Sequence, residues 1–150
     1  MTDSFKADSV ALLTLMYAAE AEYLAAGGPG EASFDLLAPF FAPDVVLHQA
    51  DALPFGGTWR GHAGMEQFFL AMSRTWKSFE MVKQEFLATG ETTVVLTQVS
   101  ASARATGRKL TFPILQTIEF RDGRIAEVRP FYWDTAAIAE ACGPTRLRGR

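Results

Sequence analysis

Leu13, Tyr17, Glu20 and Leu24 fall at i, i+4, i+7 and i+11, so residues 9–26 predict a helix whose one apolar stripe carries a single carboxylate, Glu20. Asp8 or Ser9 offers an N-cap, and Gly27-Gly28-Pro29-Gly30 is a stop signal. Residues 33–42 predict a short second helix broken near Pro39. A strand follows at 45–49, then a Gly- and Pro-rich loop at 51–61. Residues 64–77 predict a third helix with Met65, Phe68, Phe69, Met72 and Trp76 facing inward. Beyond it the period changes to two. Strands are predicted near 79–89, 92–105, 109–121 and 124–133, with tight turns at Thr106-Gly107-Arg108 and Arg121-Asp122-Gly123-Arg124 and a last short helix at 135–142. Helices first and an antiparallel meander afterwards predict an α+β fold. One domain spans residues 1–150, with its core at about 9–140 and a tail at 143–150.

Composition narrows the function. A chain of 150 residues that is 49% hydrophobic and 21% charged is globular and not disordered. The net charge of −3 offers no basic stripe for nucleic acid; Arg146, Arg148 and Arg150 read as a solvated tail. The single cysteine, Cys142, has no internal partner, which suits a reducing cytoplasm, and it reads as an inert thiol. No signal-peptide pattern opens the chain and no apolar run approaches the ~20 residues of a membrane helix, so neither export nor membrane association is expected. His48, His62, Asp51 and Glu20 show no HxxxH or HxH spacing, and Gly56-Gly57 does not lie in a phosphate-binding pattern. No metal and no cofactor are therefore expected.

The element order, with the segments PFGGTWRGHAGMEQFF and FRDGRIAEVRPFYWDT, resembles the SnoaL-like branch of the nuclear transport factor 2-like superfamily. The resemblance covers roughly residues 9–140. It implies a cone-shaped fold in which a curved antiparallel sheet wraps three N-terminal helices around an apolar pocket. Members include polyketide cyclases, ketosteroid isomerase, limonene epoxide hydrolase and non-catalytic binding modules, so the site itself must decide the function.

Strand parity sorts the candidate residues. Phe112, Ile114, Gln116, Ile118 and Phe120 share one face of the 109–121 strand, and Ala126, Val128, Pro130 and Tyr132 share one face of the next. The resemblance implies that these faces look into the pocket. Gln116 then falls where ketosteroid isomerase keeps a protonated acid in its oxyanion hole, and an amide N–H can also donate to an oxyanion. The alternative is a core amide satisfied by neighbouring backbone. Gln49 falls near that isomerase's general base and cannot accept a proton in its place. Pro130 falls where the cyclases and the epoxide hydrolase carry an aspartate. The hydrolase's Arg and Asp on the 92–105 strand are also missing, apart from Arg104 at its end.

What remains is a smaller acid/base group. Glu20 on its apolar stripe should have a raised pKa, unless the helix turns it toward water. His48 is the other candidate base, since a histidine stands in the matching strand of the cyclases. His48 and Gln49 cannot both face inward without a bulge; if Gln49 is inside, His48 points to the outer sheet face, often the dimer face in this superfamily. His62 reads as a surface or capping residue. The catalytic set is then His48, Glu20, Gln116 and Tyr132. A ligand-binding wall would comprise Tyr17, Gln49, Trp59, Phe69, Met72, Trp76, Phe112, Ile114, Val128 and Pro130. Such a wall suits a flat, partly oxygenated polyketide-, steroid- or terpenoid-like carbonyl compound. The expected function is a cofactor-independent cyclase or isomerase, and the alternative is a non-catalytic ligand-binding or accessory protein. Phe131 and Trp133 on the outer face predict a homodimer through the sheets.

Overall fold

The first helix of the computed structural model, which describes residues 2–88 and 91–143, is α1, Thr2–Ala25. It begins two turns before the predicted start, so the predicted cap positions 8 and 9 lie inside the helix, and Ser9 is buried. It ends as predicted, on Gly27 and Gly28 with φ of 110° and 66°; the Gly28 N–H reaches the Tyr23 carbonyl. The predicted second helix is two 3₁₀ turns, Phe34–Leu36 and Ala38–Phe40. Pro39 and Pro43, four residues apart, forbid a continuous helix, and Ala42 before Pro43 is biased to extended backbone. Phe41 and Ala42 consequently open strand β1, Phe41–Gln49.

The Gly- and Pro-rich loop contains a strand, β2, Gly57–Arg60, paired antiparallel with the end of β1. Helix α2, Gly61–Thr75, packs against both. It stops one residue short of Trp76, which starts strand β3, Trp76–Ala88. Strands β4 (Thr92–Ala103), β5 (Lys109–Arg121) and β6 (Arg124–Tyr132) continue the meander. Helix α3, Thr135–Ala141, closes the described chain, capped by Asp134 Oδ1, which accepts from the Ala137 N–H at 3.0 Å. The predicted tail, with Arg146, Arg148 and Arg150, lies outside the described residues.

Among the described residues the sheet has six strands in the order β2-β1-β6-β5-β4-β3, curved and unclosed. All neighbours are antiparallel except β1 and β6. The β5–β6 turn holds Asp122 and Gly123 at φ of 54° and 75°, the double positive φ of a type I′ hairpin. The concave face carries the core, with Val45, Leu47, Val95, Val99, Ile114 and Ile118 nearly inaccessible beneath Leu13, Met16 and Phe69 from the helices.

Two of the sheet's register shifts alter the simple parity of the inward residues. On β3, Phe79 and Met81 pair with the buried Ala101 and Val99, whereas Gln84 and Phe86 pair with the buried Thr97 and Val95. The extra residue near Val82 flips the inward set from odd to even positions. On β6 a register shift opposite Glu119 and Phe120 brings Ile125 inside along with Val128, although strict alternation puts Ile125 on the outer face.

Candidate functional site

Helix α1 lies over the concave sheet and leaves a cavity of about 130 Å³. Met16, Tyr17, Glu20 and Leu24 line it from α1, and Met65, Phe68, Phe69 and Met72 from α2. The sheet supplies Leu47 and Gln49 from β1, Val128, Pro130 and Tyr132 from β6, and Ile114, Gln116 and Ile118 from β5. Phe79, Met81, Thr97 and Val99 complete the far wall. Leu24, 46% exposed, marks the side open to solvent. The volume is close to the roughly 150 Å³ that admits a benzene ring in a protein interior.

Transverse rows explain which polar groups meet. Gln116 stands opposite Pro130 across β5 and β6, and Gln49 lies two residues beyond the Leu47–Val128 pair of β1 and β6. The next row runs Tyr132, Ile114, Thr97, Gln84, with the Gln84 Nε2 donating to Thr97 Oγ1 at 3.2 Å. Glu20 and Tyr17 come down onto these rows from the helix.

The electrostatics follow from burial. Desolvation pushes the Glu20 carboxyl up to about 7, so it exchanges its proton near neutrality. Burial, then the neighbouring Glu20 charge, raise the Tyr17 phenol above the ordinary tyrosine range against a lowering by Gln84. The Tyr132 phenol is likewise raised by burial and lowered in part by Gln49. Both phenols are thus neutral donors. The Tyr17 hydroxyl and Gln49 Oε1 are buried without a hydrogen-bond partner.

Of the residues expected from sequence, Tyr17, Glu20, Gln49, Phe69, Met72, Ile114, Gln116, Val128, Pro130 and Tyr132 lie together on this cavity. Four do not. His48 points to the outer face, where its Nε2 lies 2.7 Å from Glu127 Oε2, because Gln49 takes the inward position. Trp76 and Phe112 stack behind the wall, 5.9 Å apart, with Phe112 5.8 Å from Tyr132. Trp59 packs on Phe68 and donates its indole N–H to the Phe55 carbonyl at 3.1 Å. His62 does not cap α2: it is part-buried, and its Nε2–H donates to the Phe41 carbonyl at 3.0 Å and fastens α2 to β1. Sequence reasoning missed Gln84, Thr97 and Ile125; only the bulges show why Gln84 and Ile125 point in. Burial pushes the Cys142 thiol up to about 11. Among the described residues no group of three His, Cys, Asp or Glu side chains could hold a metal ion, and no helix is long and apolar enough to cross a membrane.

Comparison with known proteins agrees with this architecture. An NTF2-like protein from Burkholderia xenovorans LB400 superposes with a TM-score of 0.79 at 22% identity, over 92% of this chain and 98% of that one. TerC, crystallised with polyporic acid, gives 0.74 at 20% identity over 90% and 98%. A protein of ketosteroid isomerase-like fold from Catenulispora acidiphila DSM 44928, in complex with trimethylamine, gives 0.62 at 14% over 87% and 95%. No curated protein sequence matches the chain. The pattern of the SnoaL-like domain matches residues 21–128, well over half of the sequence, and with the cone of sheet and helices it shows that the chain belongs to the SnoaL-like domain family.

Proposed function

We propose that the protein binds a flat, mostly apolar carbonyl compound in this cavity and moves a proton on it without a cofactor, as in an isomerisation or cyclisation through an enolate. The observation that carries the reading is Glu20: a carboxyl with a pKa of about 7, on the wall of an otherwise apolar cavity. As a carboxylate it takes the proton α to the carbonyl. The C–H bond breaks, its electrons form the enolate, and the Gln116 amide with the Tyr132 hydroxyl donates to the resulting oxyanion. Return of the proton from Glu20 to another carbon completes an isomerisation. Polyporic acid and trimethylamine in two similar structures support the use of this fold for small organic ligands.

The test is deuterium uptake at the α-carbon of an enolisable aryl ketone in D₂O, followed by NMR. The base is the ionised form, so the rate should rise with pH through about 7 and level off above it. Binding without any exchange would instead establish the second reading, a non-catalytic ligand carrier. That reading is favoured by Gln49 and Pro130, which leave Glu20 as the one carboxylate of the cavity wall among the described residues.

The outer sheet face supports a homodimer as part of the same proposal. Phe131 is 55% and Trp133 81% exposed beside the charged Glu127 and Arg129. Sedimentation at micromolar concentration should give twice the 16.4 kDa chain mass, and Trp133→Glu should return it to one.

A further inference from the structure

Burying a polar atom without a partner costs free energy, so such atoms in a cavity wall record what the occupant must supply. Four buried side-chain atoms among the described residues have no partner: the Tyr17 and Tyr23 hydroxyls, Gln49 Oε1 and Trp76 Nε1. Only Tyr17 and Gln49 line the cavity. One is a donor whose burial keeps it protonated, and the other is an acceptor. They also belong to opposite flanks of the curved sheet. The Gln84 amide N–H is directed at the Tyr17 oxygen from β3, and the Gln49 amide N–H, at the end of β1, at the Tyr132 oxygen of β6, so the groups left over are the Tyr17 O–H and Gln49 Oε1; β5 and β4 separate β6 from β3. Apart from Glu20, the Tyr132 hydroxyl, Gln116 and Thr97 the lining between them is aliphatic and aromatic, and Thr97 already accepts from Gln84.

We infer that the ligand is a hydroxy-carbonyl compound, with a hydroxyl that donates to Gln49 Oε1 and, apart from any carbonyl held at Gln116 and Tyr132, a second carbonyl or ether oxygen that accepts from the Tyr17 hydroxyl. The inference rests on reading the cavity as a ligand pocket and adds the polarity of its occupant. A hydrocarbon would leave both atoms buried and unpaired. A compound with acceptors alone would set its oxygen against the Gln49 oxygen. A carboxylate would confront Glu20, which carries negative charge on the alkaline side of about 7. A neutral phenol or enol bearing a carbonyl meets both demands.

Four benzene-ring probes test this by calorimetry at pH 6: 4-hydroxyacetophenone, acetophenone, 4-ethylphenol and ethylbenzene. The first should bind most tightly, with each oxygen worth roughly tenfold in Kd. Gln49→Leu should erase the advantage of the hydroxyl while keeping that of the carbonyl, and Tyr17→Phe should do the reverse. Gln49→Met repeats the first arm with a more pliant side chain, and a melting curve confirms that each variant folds. If ethylbenzene binds as well as 4-hydroxyacetophenone, or if the hydroxyl advantage survives in Gln49→Leu and Gln49→Met, the inference is overturned and the pocket reading stands. If none of the four binds at millimolar concentration, both fall.

Discussion

Glu20, on helix α1 above the concave face of the sheet, and Glu127, on the outer face of β6, carry the same carboxyl, and the protein drives them in opposite directions. Glu20 faces the cavity, whose lining among the described residues holds no Lys or Arg, and loss of water lifts its pKa to about 7. Glu127 faces outward, where the His48 hydrogen bond at 2.7 Å and then the Arg129 charge hold it below the ordinary carboxylate range. Arg129 also reaches Glu119, at 3.6 Å, so the outer face is a small charged lattice. The difference teaches that a carboxylate becomes an acid/base group by being denied partners, and an inert anchor by being given them.

The comparison breaks most visibly in catalysis. Glu20→Gln keeps the volume and removes the proton acceptor, so α-proton exchange should fall by about 10²–10⁴-fold. His48→Gln should leave the exchange rate unchanged, since His48 lies outside the cavity; an equal loss in both variants would refute the assignment. Stability should respond next, with opposite sign. Because the folded pKa of Glu20 exceeds the ordinary 4.5, the folded state binds more protons between about 4.5 and 7. Its contribution to stability is complete below 4.5 and is lost as pH rises through 7, a change of up to about 3 kcal/mol. Urea titrations should show that slope in the wild type and its loss in Glu20→Gln, which should be the more stable protein at pH 8. Smallest is the outer pair. Glu127 is depressed, so its contribution is present above the ordinary value and disappears as pH falls through the folded one. At 32% side-chain exposure for both partners, Glu127→Gln should cost at most about 1 kcal/mol near neutral pH, diminishing with salt.

The same two faces show what was legible without coordinates. Period two placed Gln116, Val128, Pro130 and Tyr132 on one side, and the helical spacing of Tyr17, Glu20 and Leu24 put them on one stripe, because both periods follow from backbone geometry. Which of His48 and Gln49 turned inward could not be read from alternation alone; pairing with β2 and β6 decides it. Gln84 stayed hidden because a bulge near Val82 depends on how two strands fit, not on either strand's composition. Trp76 misled for a related reason. It continues the apolar spacing of α2, yet its backbone turns extended and its ring joins Phe79 and Phe112 behind the pocket.

The parallel pairing of β1 with β6 bears on how the sheet assembles. Strands β3 to β6 join neighbours through short connections, down to the two-residue turn at Asp122 and Gly123, so their hairpins close over short stretches of chain. Strand β1 must instead find β6 across some eighty residues, where Val46 meets Glu127 and Leu47 meets Val128. Docking of β1 is therefore expected to come late in folding, and it delivers Gln49 to the cavity. Native-state hydrogen exchange should find the β1 amides opening before those of β4 and β5, and an occupant that bonds Gln49 should slow that opening selectively.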